Sequence, residues 1–131
     1  MTVAVVFSES AEGAAALQSA VREARLRQTG LALLHATERD DVPDADEVDA
    51  VKAHASTALA GADVDWEVHV ASRARNLAGA IVDLAVEVGA DLLVIGTRRR
   101  SVTGKFLLGS VVQRVILDAP MEVLTVKVAD D

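Results

Sequence analysis

The 131-residue chain contains no cysteine and no tyrosine, and only one tryptophan, two phenylalanines and two prolines. Without cysteine there is no disulfide framework, no thiol nucleophile and no thiolate-held zinc or iron–sulfur cluster. Aromatics at 2% are too sparse to build the stacking platforms on which single-stranded nucleic acids lie. Basic residues are the minority. Thirteen Lys and Arg against twenty Asp and Glu give a net charge of -7, the wrong sign for displacing counterions from a nucleic-acid backbone. No apolar run approaches the roughly 18 residues that span a membrane. Met1-Thr2-Val3 leads into an apolar segment without the basic n-region of a signal peptide. A cytoplasmic protein with no nucleic-acid or membrane partner is the expectation.

What is present is a hydrophobic core's worth of apolar residues, 51% of the chain, in a length that suits a single domain over residues 1–131. Val3 to Phe7, Leu31 to Ala36 and Leu92 to Ile95 are uninterrupted apolar runs, the pattern of strands covered by helices on both faces. Val64 to Val70 and Glu122 to Val128 mix apolar and polar residues, as edge strands do. Between them lie helical periodicities. Leu17, Val21 and Ala24 mark one face, with Ser10 as N-cap and Gly30 as stop. Val48, Val51, Ala55 and Leu59 mark a second, ending at Gly61. Leu77, Ile81, Leu84 and Val88 mark a third, opened by Asn76 and closed by Gly89. Val111, Val112, Val115 and Ile116 mark the last, which Pro120 cannot continue. The order β-α-β-α-β-α-β-α-β predicts a doubly wound, five-stranded parallel α/β sheet with helices on both faces, Rossmann-like, with ligands beyond the carboxyl ends of its strands.

One loop leaves the fourth strand at such an end. Gly96-Thr97-Arg98-Arg99-Arg100-Ser101-Val102-Thr103-Gly104-Lys105-Phe106-Leu107-Leu108-Gly109-Ser110 gathers four cations in an acidic chain and runs into a helix. Strand, basic glycine-bearing loop and helix N-terminus present N–H groups and positive charge to a small anion, for which phosphate is the natural candidate. The loop is not a Walker P-loop: Arg99 stands where its first glycine belongs and Phe106 where its hydroxyl belongs. Ser8-Glu9-Ser10 after the first strand likewise lacks the Gly-x-Gly of a dinucleotide fingerprint. His35, His54 and His69 have no metal-ligand spacing, and no Gly-x-Ser-x-Gly elbow supplies a serine nucleophile.

The loop's spacing, Gly-x2-Arg-x9-Gly-Ser, resembles the Gly-x2-Gly-x9-Gly-[Ser/Thr] of the universal stress protein family. Ser10-Ala11-Glu12-Gly13, Leu33-Leu34-His35-Ala36, Asp91 to Gly96 and Gln113 to Pro120 are also similar to that family. The resemblance implies an adenine nucleotide alpha hydrolase-like fold. It implies a site for ATP or AMP, with magnesium only as carried by ATP, in which Gly96, Gly109, Ser110 and Val111 stand at phosphate and ribose positions and Ala36 at the adenine. Arg98 adds charge beside them. Two positions depart from the family. Ser8 replaces an Asp at the end of the first strand, keeping polarity but losing the charge, and Arg99 replaces the second loop glycine. The Arg99 side chain either obstructs the approach of phosphate to backbone or binds it through its guanidinium. The family likeness also implies a homodimer through the last strand, Val123 to Val128, and a regulatory or protective role with no catalysis beyond very slow ATP hydrolysis. The alternative is a nucleotide-independent, dimeric or chaperone-like member whose phosphate loop has degenerated.

Overall fold

A computed structural model of the protein describes residues 1–37, 42–72, 76–98 and 108–128. The elements run β1 (Thr2–Val6), α1 (Ala11–Arg27), β2 (Gly30–Thr37), α2 (Ala45–Ala58), β3 (Trp66–Ser72), α3 (Leu77–Glu87), β4 (Leu92–Arg98), α4 (Ser110–Asp118) and β5 (Glu122–Val128). All five strands pair in parallel in the order β3-β2-β1-β4-β5. The three continuous apolar runs are the central strands and the two mixed segments are the edges. The expected doubly wound sheet is what the chain forms, and strand order reverses at β1, which pairs with β2 on one side and β4 on the other.

Each strand's alternation sends its side chains into one of two cores. Val3, Val5, Leu31, Leu33 and Val94 pack on the α1 and α2 side. Ala4, Ala32, Leu34, Leu93 and Ile95 pack on the α3 and α4 side. Helix α1 meets the sheet through Ala16, Ala20 and Ala24, all with no exposed surface. Small residues on that face let the helix lie close to the strands.

Helix boundaries follow local chemistry. The Oγ of Ser10 accepts from the Gly13 N–H, the carboxylate of Asp44 from the Glu47 N–H, and the Oδ1 of Asn76 from the Gly79 N–H. Each satisfies one orphan donor of a first turn. Gly61 and Gly89 follow α2 and α3 with φ of +80 and +68. The expected stop of α1 differs. Gln28, not Gly30, takes the left-handed conformation, with φ 54 and ψ 51, and its N–H reaches the Ala24 and Arg25 carbonyls. Gly30 is already the first residue of β2. The turn between α1 and β2 is so short that the chain must reverse before the glycine arrives.

Candidate functional site

The site sits where β1, β2 and β4 end. Its geometry begins with two glycines that seat the first turn of α1. A Cβ on Gly13 would collide with the carbonyl oxygen and the hydroxyl of Ser8, and a Cβ on Gly96 would collide with the carbonyl of Glu12. The first turn of α1 therefore lies directly against the end of β1 on one side and the end of β4 on the other. Gly96, expected at a phosphate position, has this packing reason for lacking a side chain.

Two adjoining pockets open over this junction. One, of about 350 Å3, is bounded by Ser8 and Ser10 after β1, His35 and Ala36 of β2, Gly96 of β4 and Val111 of α4. The other, of about 340 Å3, is bounded by Gly96, Thr97 and Arg98 of β4 and by Gly109, Ser110 and Val111 at the start of α4. Glu12, Gly96, Val111 and Val112 line both. The structure thus brings together Ser8, Ala36, Gly96, Arg98, Gly109, Ser110 and Val111. Arg99 lies outside the described residues, as do Arg100 and Lys105.

The second pocket has the chemistry of an anion site. Gly109 is the N-cap of α4, with φ -69 and ψ 160, and no side chain caps that end among the described residues. Neither its φ nor crowding among the described residues requires glycine, since a Cβ there would meet none of them within 4 Å. No described side chain therefore competes for the first-turn N–H groups of α4, which carry the positive end of the helix dipole. The Arg98 guanidinium adds a full charge. Its Nε lies 2.8 Å from Oε1 of Glu12, in a pair whose side chains are 38% and 25% exposed.

The first pocket is more apolar, with Val6, Leu77, Ile81 and Ile95 among its walls. Its polar groups are already engaged. The Ser8 and Ser10 hydroxyls share a hydrogen bond of 2.8 Å. Nδ1 of His35 lies 3.0 Å from the Phe7 carbonyl, which can only accept, so Nδ1 carries the proton. In the neutral ring Nε2 is then the acceptor. The other histidines pair elsewhere: His54 Nδ1 lies 3.0 Å from Glu9 Oε1 and His69 Nε2 lies 2.9 Å from Glu67 Oε1. Among the described residues no group of three or more His, Asp and Glu side chains could hold a metal ion, and no helix is long and apolar enough to cross a membrane.

His35, which the sequence places in an apolar strand as a satisfied or pocket-rim histidine, lines the first pocket. Sequence reasoning missed Glu12 as a pocket residue: its partner Arg98 is 86 positions away, and only the crossing of α1 over β4 joins them.

Comparison with known proteins gives the same address for the whole chain. Residues 1–127 match the model of the universal stress protein family. A universal stress protein of Mycolicibacterium smegmatis is 38% identical over 95% of this chain and 96% of its own. Among solved structures, the universal stress protein from Archaeoglobus fulgidus in complex with dAMP is 29% identical, with a TM-score of 0.70 over 96% of both chains. A universal stress protein in complex with cAMP is also 29% identical, with a TM-score of 0.71 over 96% of both chains.

Proposed function

Since this chain belongs to the universal stress protein family, we propose that it binds an adenine nucleotide, ATP or AMP, across the two adjoining pockets and acts as a regulatory or protective module with at most very slow ATP hydrolysis. The observation that carries this reading is the convergence of Ser8, Ala36, Gly96, Arg98, Gly109, Ser110 and Val111 on two pockets that share the walls Glu12, Gly96, Val111 and Val112 at the reversal of strand order. The open end of α4 and Arg98 suit the phosphate. The apolar walls and the half-buried His35 and Ala36 suit the base. Relatives solved with dAMP and cAMP support the adenine class. Magnesium would enter with ATP, on its phosphates.

The test is direct. Purified protein is denatured and its supernatant assayed for released nucleotide, and the melting of nucleotide-free protein is followed with ATP, ADP and AMP. A ligand at 100 times its dissociation constant stabilises by roughly 2.7 kcal/mol, a shift of several degrees for a domain of this size. Released adenine nucleotide or such a shift is expected. Neither, at millimolar ATP, would leave the second reading: a nucleotide-independent interaction module. That reading is favoured by the hydroxyl at the family's Asp position, Ser8, being committed to Ser10.

The partner we propose is a second copy of the chain. β5 is an edge of the sheet, and Val123 to Val126 are each half-buried. A two-fold antiparallel pairing of β5 with its symmetry mate would satisfy its outer edge and close it against further growth. Sedimentation at micromolar concentration should report twice the chain mass; a monodisperse monomer would overturn the dimer.

A further inference from the structure

The Glu12–Arg98 contact has a consequence for how the anion pocket takes a ligand. Both residues line the pocket formed with Gly109, Ser110 and Val111. Arg98 is the one cation the structure describes there, and Glu12 has its Oε1 2.8 Å from the Nε of that guanidinium, an ion pair in which Nε itself makes no aligned hydrogen bond. A carboxylate and a phosphate seek the same N–H fork. Glu12 is also held in place. Its backbone carbonyl is seated against Gly96, and the turn that carries it is fixed by the Ser10 Oγ accepting from the Gly13 N–H. The side chain cannot retreat by shifting the helix, so it leaves Arg98 only by changing rotamer.

We propose that Glu12 is an internal competitor of the ligand phosphate: its carboxylate holds the Arg98 guanidinium and yields that contact when a phosphate enters. This rests on the nucleotide reading above and deepens it. An anion entering the pocket exchanges one carboxylate–guanidinium contact for a phosphate–guanidinium contact, beside a carboxylate that now repels it. The affinity for phosphate is therefore set by a difference between two anions, and the neutral parts of the ligand do not feel it. Glu12 makes the site selective for ligands whose phosphate outcompetes a carboxylate.

Glu12→Gln keeps the shape of the side chain and removes its charge. By calorimetric titration this variant should bind AMP and pyrophosphate about tenfold more tightly than the wild type, an increment in the range of one charge-assisted contact. Adenosine, which has no phosphate, should change by less than about twofold. Glu12→Asp, which keeps an acid in the first turn of α1 but withdraws it by one methylene, should show a smaller gain and covers the case of a poorly folding Gln variant. In the Arg98→Met background the gain from Glu12→Gln should disappear. Weaker AMP binding by Glu12→Gln overturns the proposal, because Glu12 would then be positioning Arg98 for the ligand. An equal gain for adenosine, or a gain that survives Arg98→Met, also overturns it. If AMP binds wild type and variant alike, the competitor fails while the nucleotide reading stands. If pyrophosphate gains and no nucleotide binds, the nucleotide reading fails and the competitor stands. No binding of any probe to any variant removes both.

Discussion

At the scale of single residues, three glycines that look alike in the sequence do different work. Gly13→Ala places a methyl in the first turn of α1, where helix propensity favours it by at most about 1 kcal/mol. That methyl meets the Ser8 carbonyl and hydroxyl, and overpacking of this kind costs about 1–3 kcal/mol. The collision should win, and urea denaturation should show a net loss of stability. Gly96→Ala drives its methyl onto the backbone carbonyl of Glu12, and this collision too should outweigh the propensity gain of about 0.5–1 kcal/mol. Gly109→Ala meets no described residue but puts a poor N-cap residue at the start of α4 and should cost about 0.5–1 kcal/mol, while weakening nucleotide binding through the narrowed approach to α4. Stability and nucleotide titration together separate the two kinds of glycine.

At the scale of elements, the ends of α1 and α3 invite complementary substitutions. Gln28 pays the left-handed penalty of a side chain, about 1–2 kcal/mol, with φ 54. Gln28→Gly removes it but frees the unfolded chain by about 0.4–1 kcal/mol. A net gain of roughly 0.5 kcal/mol is expected in denaturant titration. Asn76→Ala removes the bond to the Gly79 N–H and should cost about 1 kcal/mol. These two ends also mark how far the sequence could be read. Asn76 and Gly89 carry the cap chemistry that announces a helix, and they bound α3 as expected. Gln28 carries none. It turns left-handed because β2 must begin at Gly30 to bring Leu31 beside Val3, a demand of the sheet and not of the local residues. The strands were legible because burial on both faces leaves continuous apolar runs such as Leu92 to Ile95. The candidate pocket was legible at Gly109 and Ser110, which line it at the start of α4. It was illegible where a side chain crosses the fold, as Glu12 does to reach Arg98.

At the scale of the whole molecule, the sheet order governs the path to the folded state. β1 is the middle strand, and its second neighbour is β4, with Val5 beside Val94. Nearly ninety residues must be synthesised before that pairing can form, so the molecule has a large share of contacts between distant parts of the chain. Such topologies fold slowly, because loop closure precedes the contacts that compensate it. Until β4 arrives, the apolar run Val3 to Phe7 presents a bare strand edge, and exposed edges of this kind recruit other chains. A fragment ending after α2, at residue 62, contains β1, α1 and β2 and should enter the insoluble fraction on expression. The full chain should refold from denaturant in higher yield as protein concentration is lowered. The central placement of β1 thus sets a kinetic hazard during synthesis: a strand made before its neighbour β4 is among the last to be completed, and a growing chain must keep it from other polypeptides in the meantime.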